Sequence, residues 1–546
     1  MPDEPTQEIE PSDTTVLRAE ARTEIQEFLF TMQQRRRIFP RAALVGLGAG
    51  VVAALFRATL SGADNLRNAL IGWSHNFPLL GWIFPILFSM LGAIVSVTLV
   101  RRFAPETGGS GVPHIEGVMH RLRALTWHRV LPTKFVAGAL GIGGGLTLGR
   151  EGPTVQMGSA VGDAVAAWLK SPPQERRTLI AAGAGAGLAA AFNAPLAGVI
   201  FVLEEIQRDF HPIVFGAAFL AAAVADIAVR VLLGPDRDFA VPTYAAPPVL
   251  SIPVFIMLGV LAGLLGVAFN RSLLLGLDLV DGLSGRWVLS AAAAVGVMVG
   301  LVGWFSPILV GGGHTLTELV LAGNVALATI PLFFVLRFLL TVSSYGTGAA
   351  GGIFAPLLAL GALLGLGLGQ IAHDFYPAAV PQPAVFAVVG MAAYFAAIVR
   401  APLTGIVLIV EMTGNYEQIL PLLVACFCAY ATAEFVKDLP IYQALLERDL
   451  MRSGSPISLK EPVVMDFEIE SGAPFAGREL RSLGLPAGCV IVRGVDAGRE
   501  FVPTASTRLA PHMHITAFIA PEASEGLEIL RRGCSATSLR DQPHEV

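Results

Sequence analysis

The chain contains an internal duplication within apolar sequence. Residues 183–204 read GAGAGLAAAFNAPLAGVIFVLE and residues 390–411 read GMAAYFAAIVRAPLTGIVLIVE. A glycine, an Ala-Pro-Leu step and a final glutamate therefore recur at one offset of 207 residues, from 183 to 390 and from 204 to 411. Shared composition alone does not align three features in this way. The duplication predicts two homologous halves, at about 40–230 and 250–440, joined by the proline-rich stretch 241–253.

The composition places this duplication in a membrane. Of 546 residues, 54% are hydrophobic and only 14% are charged, which is far more apolar than a soluble domain. The uncharged runs 80–100 and 287–304 can cross a bilayer at about 20 residues per crossing, whereas 42–56, 213–225 and 401–410 are too short. We therefore predict an integral membrane protein in which many helices are tilted, broken or re-entrant, as 59 glycines and 36 prolines allow.

Basic residues predict the orientation of the chain. They flank the first two apolar segments: Arg35, Arg36, Arg37 and Arg41 before the first, and a loop with Arg121, Arg123, Arg129 and Lys134 after the second. Because basic residues concentrate in cytoplasmic loops, we expect the segment 1–38 to be cytoplasmic, and it has no apolar core of a secretory signal. The net charge of −5 gives no indication of nucleic-acid binding.

Three short motifs interrupt the apolar sequence with glycine and proline. They are Gly-Ser-Gly-Val-Pro at 109–113, Gly-Arg-Glu-Gly-Pro at 149–153 and Gly-Ile-Phe-Ala-Pro at 352–356. Each can begin a helix, and a helix N-terminus offers free N–H groups that bind an anion without holding it as firmly as a full cation. For one motif alone, close packing of small residues explains the glycines. The three motifs together favour an anion site, because two of them stand at repeat-related positions and one carries an acid.

These motifs, with Pro440-Ile441-Tyr442, resemble the signatures of the CLC chloride channels and chloride/proton antiporters, and of the bacterial antiporters in particular. The resemblance covers about residues 40–450, with every motif in family order. It implies an all-α polytopic membrane protein with inverted-repeat, broken helices over 39–450. It also implies a homodimer in the bacterial inner membrane, with both termini cytoplasmic, that transports chloride and protons and needs no cofactor or metal.

The resemblance also assigns roles to residues. Ser110 and Tyr442 supply hydroxyls to a central anion site, and Ile353 and Phe354 supply backbone N–H groups. The N–H groups around Arg150, Glu151 and Gly152 form an outer site. Glu151 is the gating carboxylate and Glu205 is the inner proton-transfer acid.

The chemistry of Glu151 supports that role independently. An ionised carboxylate beside an anion site can occupy the site, and it leaves when protonated, so that anion and proton compete.

Other residues either depart from the family pattern or are expected to have structural roles. His114 stands where the antiporters often carry an acid, although Glu116 matches a buried glutamate. We expect Glu411, the repeat mate of Glu204, to be structural and Arg400 to be a helix-end charge.

The tail, at about 460–535, reads as a small soluble α/β domain. We predict strands at 463–470, 489–495, 500–503 and 514–519, helical turns at 477–483 and a helix at 525–532. Residues 471–480, Leu485-Pro486 and the second strand resemble the C-terminal ligand-binding domain of the RCK type. Because Pro511-His512 replaces the usual Gly-Asp, both an unknown small ligand and a packing role stay open. The four cysteines predict neither a metal site nor a disulfide.

The sequence patterns allow four interpretations of the function. The first is a chloride/proton antiporter, and the second is a passive anion channel gated by voltage or pH. The tail suggests a third, a regulated cation or solute transporter, and an intramembrane enzyme that uses Glu151 or Glu205 is the fourth. The enzyme lacks a metal-ligand pair or an activated nucleophile, and a cation site requires acids or carbonyls where the breakpoints offer N–H groups.

Overall fold

Helices dominate the described chain. The computed structural model describes residues 11–535, apart from 78, 209, 236–238, 240, 243, 453–461 and 497–498. The helices of the first half are α1 Pro11–Ser74, α2 Ile83–Phe103, α3 Val112–Met119, α4 Trp127–Gly143, α5 Glu151–Trp168, α6 Pro173–Phe192, α7 Pro195–Phe201 and α8 Pro212–Leu233. Those of the second half are α9 Ile252–Asp281, α10 Arg286–Phe305, α11 His314–Leu321, α12 Ile330–Gly346, α13 Phe354–Phe375, α14 Ala384–Val399, α15 Pro402–Thr413, α16 Ile419–Phe435 and α17 Ile441–Arg452.

Eight helical stretches among the described residues are long and apolar enough to cross a membrane. The prediction that 42–56 and 213–225 are too short to span was wrong. The first run is part of Gln34–Ser74, a stretch of 41 residues, and the second is part of Pro212–Leu233, because each helix continues past the charged residue that ends the apolar run, Arg57 or Asp226. The run at 401–410 does form a short helix, α15 of 12 residues.

Repeat-related helices pack in the same way in the two halves. A β-carbon on Gly158 of α5 would lie 2.2 Å from the carbonyl oxygen of Gly183 on α6, and one on Gly361 of α13 would lie 2.4 Å from that of Gly390 on α14. Only glycine permits backbones to approach this closely. The duplication therefore corresponds to duplicated helix pairs, α5 with α6 and α13 with α14.

The chain divides into two compact units. The first comprises the residues up to Glu116 together with Leu125–Ala444. The second comprises Gly117–Ala124 together with the residues from Leu445 onward. The sequence did not indicate that the short segment belongs with the tail. Its arginines bond within the second unit: Arg121 donates to the carbonyl oxygen of Pro462, and Arg123 Nη2 donates to that of Asp449 at 2.9 Å.

The tail folds around one antiparallel sheet. Its strands are β1 Val463–Glu468, β2 Cys489–Asp496, β3 Arg499–Phe501 and β4 His514–Ile519, in the order β1-β4-β2-β3, and helix α18 Glu525–Cys534 follows. All four predicted strands are present, with shifts of a few residues at their ends. The turns predicted at 477–483 reduce to one 3₁₀ turn, Leu480–Ser482. The tail is therefore an α/β domain, as its alternating sequence predicts.

Candidate functional site

The three glycine motifs meet through backbone hydrogen bonds. Gly109 N–H donates to Ala349 O and Gly351 N–H donates to Gly109 O, both at 3.0 Å. Gly149 and Gly352 exchange a pair of bonds, at 2.7 and 2.8 Å. Helices α3, α5 and α13 begin within three residues of these bonds. The structure thus brings three helix N-termini from both halves to one place, as an anion site requires.

Glu151 lies at this meeting point. It is the first residue of α5 and only 1% of its surface is exposed. Its Oε2 accepts a hydrogen bond from the backbone N–H of Ala355 at 3.4 Å, in the first turn of α13. The carboxylate therefore lies at the N-terminus of α13, a position that favours negative charge. Arg150 stands at the N-cap of α5.

Two buried hydroxyls face the same region. Ser110 and Tyr442 are both 0% exposed, and neither hydroxyl has a hydrogen-bond partner among the described residues. Ser110 adjoins the Glu151 motif, because a β-carbon on Gly152 would lie 2.4 Å from Ser110 Oγ. The ring of Tyr442 stacks on that of Phe354, with centroids 6.2 Å apart, and Ile353 is the fully buried N-cap of α13. A buried hydroxyl without a partner is costly, so the site is suited to a ligand that accepts hydrogen bonds.

Glu205 lies in a π-helical turn, Val202–Ile206, that continues α7. This turn is closed by a bond from Gln207 N–H to Val202 O at 2.8 Å. Glu205 is 3% exposed and Glu116 is 2% exposed, and the two carboxyl groups are close enough to act on each other. Arg208 Nη2 lies 3.6 Å from Glu205 and 3.9 Å from Glu116. Two acids beside one half-exposed arginine form a group that can take up and release a proton.

The neighbouring acid, Glu204, has a different function. Its carboxylate accepts bonds from Leu403 N–H at 3.1 Å and Thr404 N–H at 2.7 Å, and so caps α15. Its repeat mate Glu411 accepts from the repeat mates of those residues, Leu196 N–H at 3.1 Å and Ala197 N–H at 2.8 Å, and so caps α7. Each half therefore caps a helix of the other. The prediction of a structural Glu411 agrees with this geometry. A two-fold relation between the halves explains why each half caps a helix of the other.

Comparison with known proteins identifies the fold. Residues 91–434, more than half of the chain, match the sequence profile described as "Voltage gated chloride channel". The chain belongs to this family, the CLC family. Residues 464–528 match the TrkA-C domain, in agreement with the predicted RCK-type tail. The CLC match covers all three glycine motifs.

The relatives are exchangers. The chain is 42% identical over 419 residues to the H(+)/Cl(−) exchange transporter ClcA of Cronobacter sakazakii, covering 75% of this chain and 89% of that protein. It is 41% identical over 415 residues to ClcA of Vibrio parahaemolyticus, covering 75% and 89%. Among solved structures, it resembles a slow cyanobacterial Cl−/H+ antiporter with a TM-score of 0.74 and 39% identity, covering 77% of this chain and 99% of that one.

Lys134 is a basic residue buried beside the loop that carries Ser110, and the prediction that it lies in a loop was wrong. Lys134 was counted with the basic loop residues, but it lies inside α4 and is 0% exposed. Its Nζ donates to Thr107 O at 2.9 Å and to Gly109 O at 2.7 Å, on the loop that carries Ser110. A lysine that donates to both carbonyls holds this loop in place. The apolar run 135–142 that follows it was the available signal.

His114 contacts the side chain of Gln156. His114 Nδ1 lies 3.1 Å from Gln156 Nε2, which also donates to Glu106 O at 2.8 Å, so its ring is held by an amide. The four cysteines are free thiols. In the tail, burial raises the pKa of Cys534 to about 11, so this thiol is protonated at neutral pH. Arg400 ends α14 in a left-handed conformation, as expected for a helix-end residue, and bonds Glu434 at 3.2 Å.

Proposed function

We propose that this protein is a secondary active transporter that exchanges chloride for protons, with Glu151 as the gate. The observation that carries this proposal is the position of the Glu151 carboxylate on the N-terminus of α13. Ionised Glu151 and chloride are competing ligands of the same N–H groups. Protonation removes the charge of the carboxylate and favours chloride, so that movement of one ion requires movement of the other.

The central chloride contacts are Ser110 Oγ, Tyr442 Oη and the N–H groups of Ile353 and Phe354. Support comes from the two unpartnered hydroxyls and from the start of α13 at these residues. The N–H groups around Arg150, Glu151 and Gly152, at the start of α5, form the outer contacts. Neutral donors bind chloride and release it quickly, which suits transport better than a direct ion pair.

Protons reach Glu151 from the other side of the membrane through Glu205. Support comes from the burial of Glu205 and Glu116 beside one arginine, Arg208, whose Nη2 lies 3.6 and 3.9 Å from the two acids. The relatives named as exchangers favour exchange over a passive channel. No cofactor takes part in this mechanism, and chloride is a transported ion.

We also propose that the protein is a homodimer in the bacterial inner membrane with both termini in the cytoplasm. The family resemblance and the arginines Arg35, Arg36, Arg37 and Arg41 support this assignment. For the TrkA-C domain, both a regulatory role with an unknown small ligand and a packing role stay open.

Reversal potentials test the exchange directly. Current through the purified protein in a planar bilayer is recorded at fixed chloride gradient while the pH on one side is changed. An exchanger shifts the voltage of zero current with each pH step, because both gradients drive it. A reversal potential that stays at the chloride equilibrium value would establish a channel.

A further inference from the structure

The guanidinium of Arg337 is a buried cation without a counter-ion among the described residues. Arg337 lies on α12 and is 0% exposed. Its Nη1 donates to Leu309 O at 3.0 Å, but its Nε and Nη2 have no hydrogen-bond partner in the described chain. A guanidinium stays charged in proteins, and a buried charge is costly unless it is paired. Two donors of this side chain are therefore buried without an acceptor among the described residues.

A second arginine increases this excess of positive charge. Arg67, on α1, is 5% exposed, and its charge acts on Arg337. Arg67 Nη1 pairs with Asp64 Oδ1 at 2.6 Å, while its Nε has no partner in the described chain. Two guanidinium groups are thus balanced by one carboxylate, which leaves one positive charge. A single monovalent anion would neutralise it.

The backbone between residues 311 and 313 brings the two arginines to one turn. Gly311 and Gly313 have φ values of +69° and +89°, a conformation that favours glycine. A β-carbon on Gly313 would lie 2.3 Å from Arg337 Nη2, and one on Gly311 would lie 3.0 Å from Arg67 Nη1. The turn also precedes α11, whose first N–H groups have no partner within the helix. Charged donors and backbone donors therefore face one small region.

This region borders a cavity that also reaches the gate. A cavity of about 850 Å³ is lined by Arg67, Gly312 and Gly313 and also by Arg150 and Glu151. The cavity therefore connects Arg67 and the Gly312–Gly313 turn with the gate, and the fully buried Arg337 contacts this turn at Gly313.

We propose that Arg67, Arg337 and the Gly311–Gly313 turn bind one small monovalent anion of the halide class. This site is separate from the hydroxyls of Ser110 and Tyr442. It holds an anion beside the cavity that leads to Glu151, so it raises the local anion concentration at the gate and stabilises the buried arginines. The site does not depend on the proposed exchange, since anion binding here requires no proton movement.

Bromide locates the site directly, because its anomalous scattering distinguishes it from water. Crystals of the full-length protein grown in bromide are expected to show an anomalous peak within hydrogen-bonding reach of Arg337 Nη2. The Arg337→Gln variant should lose this peak and keep any peak beside Ser110. Bromide beside Ser110 in the wild type, with none beside Arg337, would overturn the proposal. Arg67→Gln serves the same purpose if Arg337→Gln does not fold.

Transport gives a second readout with a matched control. In liposomes, Arg67→Gln should raise the half-saturating chloride concentration several-fold when chloride is supplied from the Glu151 side, with the ion ratio unchanged. The control is Arg57→Gln, which removes one positive charge from the same cavity but from a residue bound to Ala190 O and Asn193 Oδ1. Equal shifts in both variants would contradict a specific site, because general attraction to the cavity would then explain them.

Discussion

The carboxylate of Glu151 accepts a hydrogen bond from the backbone N–H of Ala355, with 3.4 Å between Oε2 and N. Glu151 begins α5 in the first half of the chain, and Ala355 lies in the first turn of α13 in the second half. The acid of one half thus caps a helix of the other. Any anion bound at the start of α13 must compete with this carboxylate, and the first prediction follows from that competition.

Glu151→Gln should preserve chloride flux and abolish proton movement. The amide has nearly the same size, but it does not bind or release a proton near neutral pH and has no charge. Chloride therefore no longer competes with an ionised ligand. The pH dependence of chloride flux should flatten as well. Chloride efflux and proton uptake measured together in liposomes check this. Chloride-driven proton uptake that persists in the variant would make Glu151 a structural acid.

Glu205→Gln should keep chloride transport and lose proton coupling. Removing the titratable group breaks the path from Arg208 and Glu116 to the gate. The adjacent Glu204→Gln is a matched control, because Glu204 caps α15 and should leave the ion ratio unchanged. The same paired flux assay serves both variants. Normal coupling in Glu205→Gln, or equal loss in both variants, would refute the assignment.

Glu204→Ala and Glu411→Ala should both lower stability, and Glu204→Ala should do so more, because Glu204 also accepts a bond from Thr404 Oγ1 at 2.7 Å. Each removes the acceptor of two N–H groups at a helix N-terminus, a loss of about 0.5–2 kcal/mol for a cap. Thermal unfolding of the purified protein in detergent measures the effect. A large drop for only one of the two would contradict the reciprocal capping.

Ser110→Pro should raise the transport of nitrate relative to chloride. The hydroxyl of Ser110 is a compact donor suited to a small, strongly hydrated ion, and proline removes it together with the N–H bond to Tyr345 Oη at 3.3 Å. Ser110→Ala, which removes the hydroxyl alone, separates the two losses. Relative flux of the two anions in liposomes provides the measurement. An unchanged ratio in both variants would show that Ser110 does not contact the ion.

A chain that ends near residue 455 should still fold and transport chloride. Both repeats and every glycine motif precede this point, while the TrkA-C match begins at 464. Truncation also removes Pro462, whose carbonyl oxygen accepts a hydrogen bond from Arg121. We therefore expect regulation to change and transport to persist. Flux of the truncated protein at matched amounts checks this. Complete loss of flux in a well-folded truncated protein would place the tail within the transport mechanism.

The sequence predicted features that depend on short, local patterns. The glycine motifs at 109, 149 and 352 predicted helix starts, because glycine and proline act within a few residues. The register of 207 residues paired Glu204 with Glu411, and the alternating tail predicted its four strands. These inferences did not need knowledge of distant contacts.

Features that depend on tertiary contacts could not be predicted in this way. The π-helical turn at Glu205 adds one residue to the turn, and no sequence pattern predicted this local geometry. Lys134 was assigned to a loop because its charge suggested solvent, whereas two carbonyls, at 107 and 109, hold it inside the protein. The approach of Arg67 and Arg337 joins residues on α1 and α12, which are far apart in the chain.

Proton movement driven by a chloride gradient distinguishes exchange from passive flow. The wild-type protein is placed in liposomes with equal pH on both sides and an imposed outward chloride gradient, and the external pH is recorded. If chloride and protons compete at Glu151, chloride efflux must drive protons inward against the gradient that develops, and the external medium becomes alkaline. Chloride efflux without any proton uptake, at a voltage held by added ionophore, would contradict exchange and identify a passive chloride pathway.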